Sequence, residues 1–279
     1  MRLGTTRWLL VGLLSLTLWP ATVTPQETQW DNLNSAAVDA YQQADYAKAE
    51  KLLLAALKVA KKFGAQDPRL ATSLNNLAAL YHTQGKYAEA EPLFRRSLAI
   101  WEMALGPEHP DVAQSLNNLA SLYHNQGKYA QAEPLYRRAL AIAEKALGPE
   151  HPHVATSLNN LAELYRAQGK YAQAEPLIRQ ALAIREKALG PEHPDVAQSL
   201  NNLAELYRAQ GKYAQAEPLY QRALAIWEKT LGPEHPQVAT VLENYAALLH
   251  KLNRDAEADK MEARAQAIRA KHAQEIPQR

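Results

Sequence analysis

The sequence predicts an all-α fold made of about six stacked helix pairs, and three observations support this prediction. The tetrad Leu-Asn-Asn-Leu recurs every 42 residues, starting at Leu74, Leu116, Leu158 and Leu200. The loop Gly-Pro-Glu-His-Pro recurs at the same interval, starting at Gly106, Gly148, Gly190 and Gly232. Between these markers, apolar residues follow the i, i+3, i+4, i+7 spacing of one helix face. A fixed period with helical spacing is typical of stacked helical repeats.

The beginning of the chain predicts an export signal. Arg2 and Arg7 precede the 12-residue apolar run Trp8–Trp19, and Pro20 and small polar residues follow it. This order is typical of a secretory signal peptide, and the run is short for a membrane span, which needs about 20 apolar residues. We predict a signal peptide over 1–24, cleavage near Thr24, and a periplasmic or secreted chain. An uncleaved N-terminal membrane anchor is the alternative.

Charge and cysteine content exclude several functions for the rest of the chain. The 279 residues contain 31 Lys and Arg against 29 Asp and Glu, and the two arginines of the signal segment account for the excess. A neutral chain lacks the basic surface that binds nucleic acid. The sequence has no cysteine, which excludes a disulfide framework, a thiolate metal site and a cysteine nucleophile. We predict no membrane span after residue 24.

Each unit of the repeat predicts two helices. In one unit, the first helix is predicted over about 111–125 and the second over about 129–146. Gly127 forms the turn between them, because glycine readily adopts a positive φ. Gly148 and Pro149 end the second helix, and Pro152 begins the next one, where its missing N–H costs little. Pro134 lies inside the second helix and is predicted to cost one backbone hydrogen bond.

The terminal units depart from the repeat, as the ends of a stacked array do. Ala44 replaces the turn glycine at one end and Asn253 replaces it at the other. The last helix, predicted from Arg254 to about Lys271, is highly charged, which gives the array a polar outer face. The repeat array is predicted over 25–279, with units at approximately 28–68, 69–110, 111–152, 153–194, 195–236 and 237–272.

These motifs resemble the tetratricopeptide repeat family, in the 42-residue class of kinesin light chains and many bacterial repeat proteins, and the resemblance points to a bacterial origin. It is carried by N-N-L-A-x-L-Y-x-x-Q-G-K-Y-x-x-A-E-P-L and L-G-P-E-H-P-x-V-A, which cover residues 28–272. The resemblance implies a right-handed α-solenoid whose first helices line a concave groove. It also implies that the groove binds peptides or partner proteins.

No residue pattern predicts catalysis, a cofactor or a metal site. All 11 glycines fall in turns, repeat loops or the signal segment, so none remains for a phosphate-binding loop. The histidine of each Gly-Pro-Glu-His-Pro loop is predicted to cap a helix or bond within the loop. Equivalent positions on stacked pairs lie about 10 Å apart, too far to share one ion. We therefore predict that the protein is not an enzyme.

A polar stripe on the first helices is the candidate binding surface. It repeats at i, i+3, i+7 and i+10, and its position predicts that it faces the concave groove. The predicted groove residues are Asn34, Asn75, Asn117, Asn159, Asn201, His82, His124, Arg166, Arg208, Glu163 and Glu205. An amide both donates and accepts, so the row of asparagines can bind the backbone of an extended peptide. Hydrogen bonds between neighbouring helices are the alternative role for these asparagines.

The leading prediction is an exported, non-enzymatic scaffold that binds an extended segment of a partner protein. Self-association of near-identical repeats is an alternative. Binding of RNA is a weaker alternative, because the groove has no aromatic residue apart from Tyr41 and the chain is neutral. The sequence does not identify the partner.

Overall fold

The computed structural model describes residues 24–275, with side chains as far as residue 272. Twelve α-helices and no strand lie in this range. The first six helices are α1 (Pro25–Gln42), α2 (Tyr46–Ala60), α3 (Pro68–Thr83), α4 (Tyr87–Leu105), α5 (Pro110–Asn125) and α6 (Tyr129–Leu147). The last six are α7 (Pro152–Ala167), α8 (Tyr171–Leu189), α9 (Pro194–Ala209), α10 (Tyr213–Leu231), α11 (Pro236–Lys251) and α12 (Asp255–Glu275). The predicted all-α fold of about six helix pairs is confirmed.

The helices form two compact units, one ending at Ile142 and the other beginning at Ala143. In the first unit α1 packs on α2 and α3 on α4, and α2 and α4 also contact the first helix of the next pair. In the second unit α7 pairs with α8, α9 with α10 and α11 with α12, and α7 and α11 also contact α9. Within each unit, first helices therefore lie beside first helices of neighbouring repeats.

Helix ends lie where the glycine, proline and histidine pattern predicts them. The helices predicted over 111–125 and 129–146 are observed as Pro110–Asn125 and Tyr129–Leu147. Nδ1 of His193 accepts a hydrogen bond from the backbone N–H of Asp195 at 3.1 Å, so the histidine caps α9. His109, His151 and His235 cap their helices in the same way. The predicted capping role of the loop histidines is confirmed.

The turns between paired helices require a left-handed residue. Gly127 has a φ of +71°. Ala44 and Asn253 occupy the equivalent turns of the terminal units with φ values of +56° and +57°. An alanine in this region is strained by its Cβ atom, whereas asparagine tolerates the conformation better.

The core of each pair combines small and large apolar side chains. Alanines such as Ala120 and Ala132 are completely buried and let the two helices approach closely. One position of the second helix carries a large buried side chain in four successive repeats, namely Phe94, Tyr136, Ile178 and Tyr220. Burying a side chain of this size stabilises the fold by about 1.5–3 kcal/mol.

The predicted signal peptide lies almost wholly outside the described residues. Thr24, the predicted cleavage position, is the N-cap of α1. Its side chain accepts a hydrogen bond from the Glu27 N–H at 3.2 Å, and the Glu27 carboxylate accepts one from the Thr24 N–H at 2.8 Å. This reciprocal arrangement is a capping box, so Thr24 belongs structurally to the first helix.

Candidate functional site

The predicted asparagine row lies on the first helices, and most of it is buried. Asn75, Asn117, Asn159 and Asn201 are each only 4–7% exposed. Asn34 is half-buried, and its Nδ2 donates to the backbone carbonyl of Trp30 at 2.8 Å. Buried amides must find hydrogen-bond partners, because an unpaired buried polar group costs about 1–3 kcal/mol.

Hydrogen bonds join these asparagines across successive first helices. In the first unit, Nδ2 of Asn118 donates to Oδ1 of Asn75 at 2.8 Å, and Nδ2 of Asn76 lies 3.4 Å from Oδ1 of Asn34. In the second unit, Nδ2 of Asn244 donates to Oδ1 of Asn201 at 3.1 Å. These contacts correspond to the alternative role in which the asparagines bond between neighbouring helices.

Unlike Asn75 and Asn201, Asn159 bonds to a serine of the next first helix. Its Nδ2 donates to the hydroxyl of Ser199 at 3.1 Å, which joins α7 to α9. Its buried Oδ1 accepts no hydrogen bond from the described residues.

Two histidines at equivalent positions of the first unit have different surroundings. His82 is 6% exposed, and its Nε2 accepts a hydrogen bond from Nδ2 of Asn125 at 2.8 Å. Burial lowers the pKa of His82 from 6.5 to about 4. His124, one repeat later, is half-exposed and its ring lies 5.6 Å from that of Tyr129. His124 is therefore the histidine that can meet a ligand.

The second unit carries charged residues at the corresponding positions. Arg166 binds Glu163 through two hydrogen bonds of 2.7 and 2.5 Å, and its Nη2 lies 3.7 Å from Glu205. Burial disfavours the charge of Arg166, but the bonds to Glu163 and the charges of both glutamates raise its pKa overall. Burial raises the pKa of Glu205, and the charges of Arg166 and Arg208 partly oppose this. The four side chains carry no net formal charge.

The sequence analysis did not identify one buried arginine. Arg185 in α8 is 6% exposed and donates to the hydroxyls of Ser199 and Thr156 at 2.9 and 3.3 Å and to the backbone carbonyl of Asp195 at 3.0 Å. Burial lowers its pKa. The equivalent positions of the other repeats, at intervals of 42 residues, carry Trp101, Ala143 and Trp227. The replacement of an apolar residue by arginine is the feature of the sequence that could have identified Arg185.

The accessible part of the stripe lies beside the buried asparagines. Gln114, Ser121 and His124 in α5 are half-exposed, as are Thr156 and Glu163 in α7. Nε2 of Gln114 donates to Oδ1 of Asn118 at 3.1 Å. This hydrogen bond to a buried side chain orients the accessible amide of Gln114. In the first unit, the surface of α5 offers hydroxyl, amide and imidazole groups that can hydrogen-bond to a polypeptide backbone. Within the described part of the chain, no helix has the length and apolar character needed to cross a membrane.

Helix pairs that repeat every 42 residues and bond first helix to first helix place the chain among the helical-repeat proteins. The tetratricopeptide repeat model matches residues 31–103, 70–145, 111–187, 154–225 and 195–271, and the chain belongs to this family. Tetratricopeptide repeats commonly serve as protein–protein interaction scaffolds. The family model indicates no catalytic activity.

Solved structures of similar proteins include relatives of kinesin light chains. BtubC (BKLC) from P. vanneervenii is 26% identical, with a TM-score of 0.62 over 88% of this chain and 92% of that protein. A Podosopora anserina protein with nearly identical TPR-like repeats, named as a kinesin light chain, is 33% identical, with a TM-score of 0.59 over 74% of this chain and 97% of that one. No curated protein sequence matches the chain.

Proposed function

We propose that the protein is a non-enzymatic scaffold that binds an extended segment of a partner protein along the polar face of its first helices. The observation that carries the proposal is the row of half-exposed polar side chains, including Gln114, Ser121 and His124, that lies over hydrogen-bonded asparagines. The asparagines join neighbouring helices, and the half-exposed residues beside them are proposed to bind the ligand.

Because asparagines of the row also join neighbouring helices, their replacement can alter the stability of the array as well as binding. Replacing Asn117, Asn159 and Asn201 by alanine would weaken binding, but Asn159 and Asn201 also join helices. Loss of binding in that variant is therefore interpretable only if the thermal unfolding curve is unchanged. Substitutions of half-exposed residues avoid this ambiguity, because they remove few internal contacts.

Site-specific photocrosslinking supplies the sharper test. A photoreactive amino acid replaces Ser121 on the polar face, and a matched control replaces Met103, which is 60% exposed on α4. Both chains are crosslinked in their native compartment, and the captured proteins are identified. The proposal predicts a discrete partner at Ser121 and none at Met103. Equal crosslinking at the two positions would show that the polar face is not the binding surface.

We also propose that the chain is exported. The support is the basic start, the 12-residue apolar run and the small residues after it. Cleavage after Thr24 would remove the N-cap of α1, whereas cleavage a few residues earlier would keep it. The mass of the processed protein distinguishes these sites, and a chain that keeps its first residues while facing outward would be the anchored alternative.

The remaining partner classes are addressed by two measurements. We propose that nucleic acid is not a ligand, because basic and acidic residues balance once the signal segment is excluded. RNA binding with a steep salt dependence would overturn this. Self-association is the structural alternative, and sedimentation of the processed chain over a range of concentrations tests it.

A further inference from the structure

The last helix pair departs from the repeat at positions that hold metal-ligating side chains. Glu262 in α12 occupies the position at which earlier repeats bury Phe94, Tyr136, Ile178 and Tyr220. Asp255, the first residue of α12, occupies the position at which every other second helix begins with tyrosine. The final repeat therefore replaces two aromatic or apolar positions by carboxylates, and both contact the same histidine.

That histidine is His250, in the last turn of α11. Its Nδ1 lies 2.7 Å from Oδ1 of Asp255, and its Nε2 lies 3.3 Å from Oε1 of Glu262. Ligand atoms of His250, Asp259 and Glu262 all lie within 4.8 Å of one another. Asp255, Asp259 and Glu262 are spaced by four and three residues, so they share one face of α12.

The distance between His250 and Glu262 matches that between two donors of a tetrahedral cation site. Metal–ligand bonds of about 2.0–2.2 Å place neighbouring donor atoms of a tetrahedral zinc site about 3.3–3.6 Å apart. The Nε2 to Oε1 distance of 3.3 Å already has this value. The side chains are partly exposed, so small rotations can bring the Asp259 carboxylate to the same distance.

Asp255 supplies the outer partner that such a site requires. A histidine ligand usually donates its other ring N–H to a carboxylate, which fixes the tautomer and orients the ring. If the Nδ1–H of His250 donates to Asp255, then Nε2, which lies beside Glu262, is the nitrogen that can bind a cation. Asp255 is not itself one of the three ligands, and it contacts the cluster through His250.

We propose that His250, Asp259 and Glu262 bind one divalent transition-metal cation of the zinc type, with Asp255 orienting His250. Imidazole favours such cations over magnesium or calcium, which prefer oxygen ligands alone. Water completes the coordination. The cation joins the last turn of α11 to the first turns of α12, and so fastens the terminal helix to the array.

Calorimetric titration of the untagged full-length chain with zinc chloride tests the proposal. We expect one zinc ion per chain and a rise in Tm when zinc is present. Cobalt(II) should give the visible absorption of a tetrahedral site. Absence of zinc binding at millimolar concentration, or of a cobalt spectrum that zinc displaces, would overturn the proposal.

Variants separate this site from incidental surface binding. His250→Gln should weaken zinc binding at least tenfold. Glu262→Tyr should abolish zinc binding, and it introduces the residue found at the equivalent position of the preceding repeat, Tyr220. Glu257→Gln is the matched control, because Glu257 on the same helix binds Arg254 at 2.7 Å instead of His250. Wild-type affinity in His250→Gln would refute the assignment.

A second control addresses another histidine pair. The rings of His151 and His153 lie 5.0 Å apart and could attract zinc on their own. His153→Gln should leave the stoichiometry and affinity unchanged if zinc binds at His250. Loss of binding in His153→Gln alone would place the ion at the other pair and overturn the proposal.

Discussion

Acid should destabilise the protein through the buried imidazole of His82. The ring is 6% exposed, and burial lowers its pKa from 6.5 to about 4. Between pH 6.5 and about pH 4, the unfolded chain binds a proton at His82 that the folded chain does not bind. The His82 contribution to the free energy of unfolding is therefore complete above pH 6.5 and decreases as the pH falls toward 4.

The size of the effect follows from the two pKa values. Each pH unit between them costs about 1.4 kcal/mol, so the loss reaches about 2 kcal/mol at pH 5 and about 3 kcal/mol at pH 4. Protonation would also remove the Nε2 acceptor that receives the bond from Asn125. One side chain should thus account for a substantial part of the acid sensitivity, since domains are stable by only about 5–15 kcal/mol.

Urea unfolding followed by circular dichroism at about pH 7 and about pH 5 measures this contribution. His82→Gln keeps a neutral polar side chain. Between the two pH values, the free energy of unfolding of this variant should fall by about 2 kcal/mol less than that of the wild type. His124→Gln is the matched control, because it removes a half-exposed histidine at the same position of the next repeat. Parallel pH dependence of the His82→Gln variant and the wild type would refute the reasoning.

Three further substitutions test the turns, the buried cation and the caps. Ala44→Gly should raise the free energy of unfolding by about 1 kcal/mol in urea unfolding, because glycine relieves the strain at a φ of +56°; lower stability would contradict this. Arg185→Trp introduces the residue type found at the equivalent position of the next repeat, Trp227. It should leave the free energy of unfolding unchanged or raise it by about 1–4 kcal/mol, because apolar packing replaces a buried charge. A clear loss in Tm would refute this. His193→Ala should cost about 1 kcal/mol through loss of the cap on α9, and His193→Asp should restore it; equal stability of the two variants would argue against capping.

The candidate site was only partly predictable from the sequence. Helical periodicity placed the asparagine row on the first helices, because side-chain direction within one helix depends on local geometry alone. Their bonding across repeats was left open as an alternative, since it depends on how two helices are rotated against each other. Arg185 and the His250 cluster were both visible as departures from the 42-residue pattern, but their surroundings come from other helices.

The sequence by itself determined the helix pairs, their turns and their caps. These features depend on short stretches in which glycine, proline and histidine act on the adjacent backbone, and repetition presents the same signal several times. Only the tertiary structure decided that His82 is buried and His124 half-exposed, although both occupy the same position of the repeat. The physical reason is that burial and hydrogen bonding depend on the neighbouring helices, and these differ from one repeat to the next.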